Sequence, residues 1–127
     1  MIKRLIEKYK EIWSKINYST RKNKLEKAIL KNRITVIKVG KKDRATGKTT
    51  TLVELAKKYD LPIFVKYYSQ VNYLKRAHGF HNVIHASNKH RLRGMRYKTI
   101  LIEEGFNGAD ILFLTENFKS VVGFKTK

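Results

Sequence analysis

The chain has 127 residues, 42% of them hydrophobic, and carries 29 Lys and Arg against 10 Asp and Glu, a formal net charge of +19. That is enough chain and apolar content for one compact core, which excludes wholesale disorder, and the lack of cysteine excludes disulfides, zinc-thiolate sites and a cysteine nucleophile. Charge so one-sided is self-repelling unless a polyanion offsets it, which points to nucleic acid first and an anionic membrane surface second.

In chain order, Ile2, Leu5, Ile6, Tyr9, Ile12, Trp13 and Ile16 recur at helical spacing and predict an amphipathic helix of about 15 residues. Its other face carries Lys3, Arg4, Lys8, Lys10 and Lys15. Ser19 or Thr20 can cap a second helix with Leu25, Ala28 and Ile29 on its inner side. Residues 1–33, with eleven basic and three acidic residues, form a basic helical N-terminal extension. Three roles are open to it: a helical pair docked on the core, a nucleic-acid arm, or a membrane-surface helix. No run approaches the ~20 apolar residues of a spanning helix, and the first residues mix charge with apolar side chains, unlike a secretion signal. The expectation is a soluble, cytoplasmic protein without membrane insertion.

From residue 34 the pattern changes. A β-branched strand at 34–39 leads into a loop, and a helix is predicted over 48–59, broken by Asp60-Leu61-Pro62. A strand starts at Ile63-Phe64-Val65 and ends near Tyr67, a short helix covers 69–77 and stops at Gly79, and 82–86 is a third strand. Residues 88–98 form a basic loop, followed by the strand Thr99-Ile100-Leu101-Ile102, a short helix near 108–115 and a last strand at 120–124. Alternation of this kind predicts an α/β fold over 34–127, a mainly parallel sheet of about five strands flanked by helices, with its site at the carboxyl ends of the strands.

Two motifs carry chemistry. After the first strand comes Arg44-Ala45-Thr46-Gly47-Lys48-Thr49-Thr50, the sequence form of a phosphate-binding P-loop. Backbone N–H groups at a helix N-terminus make an anion site, and Gly47 permits close approach of the backbone. Lys48 brings a point charge to the phosphates, and the Thr49 hydroxyl suits Mg²⁺. The usual first glycine is replaced by Lys42. The second motif is Glu103-Glu104 at the end of an apolar strand, about 55 residues after Lys48. A hydroxyl, a carboxylate, phosphates and waters suit the octahedral oxygen ligation of Mg²⁺. The bland alternatives are a basic turn before a helix and a surface acidic pair.

These strings resemble the deviant P-loop of viral genome-packaging ATPases of the large-terminase type, which often reads Arg-x-x-Gly-Lys-Thr. Leu92-Arg93-Gly94-Met95-Arg96-Tyr97-Lys98-Thr99-Ile100-Leu101-Ile102-Glu103-Glu104 resembles the same family's Arg-Gly pair before its acidic strand. Superfamily-2 helicases share much of the arrangement. The resemblance covers 34–127 and implies a minimal RecA-like P-loop NTPase core, with ATP and Mg²⁺ as ligands. It implies phosphate contact by Lys48, Mg²⁺ at Thr49 and Glu103, Glu104 as catalytic base, and Arg44 at the γ-phosphate. Thr126, just past the last strand, matches a coupling-motif position. Glu103 stands where the family has Asp, and its extra methylene moves the carboxylate by roughly 1–1.5 Å. An arginine finger would come from a neighbouring subunit, which implies a homo-oligomer or a larger viral complex.

Other constellations weigh less. Lys89, Arg91, Arg93, Arg96 and Lys98 make a basic loop suited to DNA or RNA phosphates near one edge of the nucleotide site. Tyr67, Tyr68 and Tyr73, interleaved with Lys66, Lys75 and Arg76, suit base stacking, but two of the three rings are expected in the core. His78, His81, His85 and His90 lack a cysteine or nearby carboxylate to complete a metal set. The leading reading is a nucleic-acid-dependent ATPase, DNA-packaging or helicase in type. The alternatives are a non-catalytic nucleic-acid-binding module and, below it, a nucleotide kinase.

Overall fold

Each of the five strand-like runs from residue 34 onward becomes a strand, and all five run parallel. The computed structural model describes residues 20–40, 47–87 and 98–126. The predicted helix at 2–16 lies outside them, as do Arg44, Ala45 and Thr46 of the 44–50 string and Lys89, Arg91, Arg93 and Arg96 of the predicted basic loop. The chain is helical over 20–30 (α1) and continues into β1 (Thr35–Val39). There follow α2 (Lys48–Tyr59), β2 (Ile63–Val65), α3 (Tyr68–His78), β3 (Val83–His85), β4 (Thr99–Ile102), α4 (Gly108–Asn117) and β5 (Ser120–Thr126).

The sheet order is β1-β5-β4-β2-β3, with parallel pairing throughout. The last strand thus lies between the strand that feeds α2 and the strand that ends in Glu103. Thr126 ends β5 and pairs with Val39 in register, which corrects the expectation that it lies past the strand. The reason is the partner: β1 offers its full length to β5, so the ladder extends two residues beyond the apolar run.

Burial on both faces explains the apolar strands. Side chains alternate between two clusters. Ile63, Val65, Leu101, Val122 and Phe124 meet Leu25, Ala28 and Ile29 of α1, Leu52, Leu55 and Ala56 of α2, and Leu74 of α3. Phe64, Ile100, Ile102 and Val121 meet Leu114 of α4 with Phe106 and Phe118. The inner residues expected for the second helix, Leu25, Ala28 and Ile29, are buried. Two ion pairs tie α1 to α2, Lys22–Glu54 at 2.7 Å and Lys58–Glu26 at 3.1 Å. The Ser120 hydroxyl donates to the Arg33 carbonyl at 2.6 Å, pinning the α1–β1 link to the start of β5.

Helix ends follow local chemistry. Asp60 closes α2 in the left-handed region, with its N–H on the Ala56 carbonyl, and Pro62 follows. Gly79 closes α3 in the same conformation. Gly123 has a different task. It faces Ile102 in register, and a Cβ there would collide with the Ile102 carbonyl oxygen, so only glycine lets β5 lie this close to β4. Since Ile102 precedes Glu103, that close approach helps set where the carboxylates begin. Among the described residues no helix is long and apolar enough to cross a membrane.

Candidate functional site

The site assembles where α2 begins and β4 ends. Gly47 caps α2 with φ 79°, and its carbonyl accepts both the N–H and the hydroxyl of Thr51, at 2.9 and 2.7 Å. This fixes the first turn and places Lys48 and Thr49 on it. N–H groups of a helix's first turn lack intrahelical acceptors, so this end of α2 favours an anion. β4, buried on both faces, carries Glu103 and Glu104 out of its carboxyl end.

The two motifs touch. Thr49 Oγ1 donates to Glu103 Oε2 at 3.1 Å, and Lys48 Nζ donates to Glu104 Oε2 at 3.0 Å. Residues 54 and 56 positions apart thereby meet as two adjacent pairs. Glu103 is only 6% exposed. Burial pushes its carboxyl above the usual range, opposed by the Glu104 N–H, the Thr49 hydroxyl and the Lys48 charge. Its second oxygen accepts the Glu104 N–H at 3.2 Å, so the longer glutamate side chain is folded back and held at both oxygens.

A cleft of about 430 Å³ opens above these pairs, lined by Lys48, Thr49, Glu103 and Glu104 on one side and Ser69, Gln70, Tyr73 and Leu74 of α3 on the other. A second cavity of about 340 Å³ shares Lys48, Thr49 and Tyr73 with it and extends to Gly47 and Thr50. Cavities of this size suit small-molecule ligands.

Gln70 is a site residue that the sequence reading missed. Its Nε2 donates to the Glu104 carbonyl at 2.7 Å, while its Oε1 accepts the Lys66 and Tyr67 N–H groups at 3.2 and 3.0 Å. One amide thus ties the start of α3 to the Glu104 backbone. The only sequence signal is its place three residues after Tyr67, the back-reaching half of a capping box. Its bond to Glu104 spans 34 positions and has no local signature.

Of the predicted site residues, Gly47, Lys48, Thr49, Thr50, Glu103 and Glu104 gather here. Lys98 does not. It is exposed at the amino end of β4, on the opposite rim of the sheet from Glu103, because the whole strand separates them. The expectation that two of Tyr67, Tyr68 and Tyr73 lie in the core is corrected: they are 51%, 66% and 55% exposed. α3 is short and fully buries Leu74 alone, with Val71 part-buried against the core, so Tyr68 and Tyr73 are left half in solvent. Among the described residues no group of three or more His, Asp and Glu is arranged to hold a metal ion. No family model, curated protein or solved structure matches this chain.

Proposed function

We propose that this chain binds ATP with Mg²⁺ at Lys48 and Thr49 and hydrolyses it in response to nucleic acid, on a RecA-like P-loop core of the DNA-packaging or helicase type. The observation that carries the reading is the double contact of Lys48 with Glu104 and Thr49 with Glu103. Two side chains at a helix N-terminus meet two carboxylates at a strand end, beside a cleft of about 430 Å³. The strand order fits the reading, since β1 and β4, whose carboxyl ends precede the two motifs, lie on either side of β5 in one parallel sheet.

The donor set fits Mg²⁺: a hydroxyl and a carboxylate converge, and this ion prefers oxygen ligands and retained waters. Thr49 and Glu103 would hold it, and it would neutralise charge on the phosphates. In the ligand-free pocket, Lys48 is held by Glu104. Phosphate competes with Glu104 for the ammonium, and its arrival frees the Glu104 carboxylate to accept a proton from an attacking water. The base is thereby available only when a phosphate group occupies Lys48. Gln70 fixes the backbone from which that carboxylate extends. Arg44 is assigned to the γ-phosphate by the family resemblance alone.

A second reading rests on the same ion pair. If phosphate fails to displace Glu104, the chain binds nucleic acid without turnover. Phosphate release from ATP, measured with and without nucleic acid, separates the readings. Stimulated release supports the ATPase. Nucleic-acid binding without release supports the module. Absence of both, with phosphoryl transfer to a small molecule, supports a kinase.

A further inference from the structure

We propose that Tyr67 and Tyr68, at the start of α3, form a stacking platform for the unpaired bases of a single-stranded nucleic acid. This deepens the functional reading above by naming the form of nucleic acid and its seat; only the coupling to ATP rests on that reading.

Large exposed apolar groups are few among the described residues, and three of the six are Tyr67, Tyr68 and Tyr73. A folding core gains nothing from rings left half in water. These rings are nevertheless held in place. The Tyr68 ring stacks on His85 at the end of β3, with centroids 3.7 Å apart and planes 11° from parallel. His85 is fixed in turn through Nδ1, which accepts the Ser87 N–H at 3.0 Å and meets the Ser87 hydroxyl at 2.7 Å. Tyr67 has its N–H on Gln70, and its ring lies over Gly105, close enough that a Cβ there would stand 2.9 Å from Cε2. Rigid rings lose little freedom when a base stacks on them, which favours binding.

Charge selects the partner. Residues 61–102 contain no Asp or Glu, yet carry eight Lys and Arg and all four histidines of the chain. Within this acid-free stretch, the Lys66 ammonium lies 5.9 Å from the Tyr67 ring centre, and Lys75 and Arg76 are exposed in the last turn of α3. Half-exposed aromatic rings among cations fit a polyanion that offers flat rings. Bases within a duplex are already stacked on one another and cannot lie on a tyrosine, whereas unpaired bases can.

The platform also adjoins the site. Gln70 holds the Tyr67 N–H with one end of its amide and the Glu104 carbonyl with the other. A strand seated on Tyr67 is one side chain from the candidate catalytic base, a route by which nucleic acid can alter turnover.

The test is fluorescence anisotropy with labelled oligothymidine, oligouridine and a duplex of equal length, at one salt concentration and without nucleotide. The full-length chain should bind a single strand more tightly than the duplex. Tyr67→Ala and Tyr68→Ala should each weaken single-strand binding by roughly 10-fold, within the range for loss of one stacked base, with duplex binding unchanged. Tyr67→Phe and Tyr68→Phe keep the ring and should bind as the parent does, which controls for folding. Preference for oligothymidine or oligouridine tells DNA from RNA, and either supports the platform if it is lost in the alanine variants. Parent-like binding by both alanine variants, equal losses on single strand and duplex, or no binding by the parent overturns it. Lys48→Ala separates the two readings. Ring-dependent binding that survives in this variant keeps the platform independent of nucleotide, and a parent chain that itself binds no ATP removes the ATPase while leaving the platform. ATP hydrolysis with ring-independent binding does the reverse.

Discussion

The interior of the sheet and its carboxyl rim obey different rules. In the interior, Ile100, Leu101, Ile102, Val121, Val122 and Phe124 are buried beneath helices on both faces, and each contributes to folding by removal from water. At the rim, a carboxylate is buried, an ammonium is held against a second carboxylate, and three tyrosines are left half in solvent. Burial of a carboxylate and half-exposure of large rings are not what folding alone favours. Local rules are broken at the place where the elements converge, which is where a binding site is expected.

That contrast can be broken by substitutions that should act on one region and spare the other. The largest expected effect is on chemistry. Glu104→Gln removes the proton acceptor, so turnover should fall by roughly 10²–10⁴-fold, the usual worth of a general base. Its loss also releases Lys48, so affinity for Mg·ATP should rise by about two- to fivefold, as expected for loss of a partly exposed ion pair. Turnover retained within a few-fold would remove Glu104 from the catalytic role.

In the interior the reverse pattern is expected. Leu101→Ala leaves a cavity in the central strand and should cost about 2–5 kcal/mol in denaturant unfolding. Tyr73→Ala at the rim should stay within about 0.5 kcal/mol of the parent. Similar costs for both would erase the distinction between interior and rim. Removal of residues 1–33 belongs with the interior changes. It takes away Leu25, Ala28 and Ile29, and the exposed faces of α2 and the sheet should unfold or aggregate; a truncated chain with parent-like stability would show that α1 contributes nothing to the core.

Gln70→Ala should act on the rim with a smaller effect. Loss of the tie between α3 and Glu104 should lower kcat by roughly 10-fold, with KM for ATP kept, because phosphate contacts remain while the base loses its support. A change in KM alone would make Gln70 a binding residue instead of a positioning one.

The smallest effect is on stability against pH. The folded chain holds the Glu103 proton to higher pH than the unfolded chain does. Between the ordinary carboxylate range and the raised value, stability without Mg²⁺ should therefore fall as pH rises. Glu103→Gln should flatten that part of the profile in thermal unfolding; an unchanged slope would show that burial of this carboxyl has no thermodynamic consequence.

Much of this was legible in the sequence, for local reasons. Thr99–Ile102 followed by two glutamates reads as a buried strand with a polar tip, and Gly47-Lys48-Thr49 reads as the start of a helix. Asp60-Leu61-Pro62 and Gly79 mark helix ends through their backbone preferences. What local pattern did not reveal depends on tertiary adjacency. Nothing within β5 announces that it inserts between β1 and β4, and nothing around Gln70 announces Glu104. Aromatic rings usually bury, so pattern alone places some of Tyr67, Tyr68 and Tyr73 in the core; their exposure follows from a short helix beside a cleft. Lys98 shares a short segment with Glu103, yet strand direction puts them at opposite rims.

The central claim is that Lys48 and Thr49 form a nucleotide site completed by Glu103 and Glu104. Calorimetry of Mg·ATP binding to the parent chain, Lys48→Ala and Glu104→Gln tests it most directly. The account predicts binding by the parent, none detectable for Lys48→Ala, and tighter binding for Glu104→Gln. Equal affinity in the parent and Lys48→Ala would contradict it.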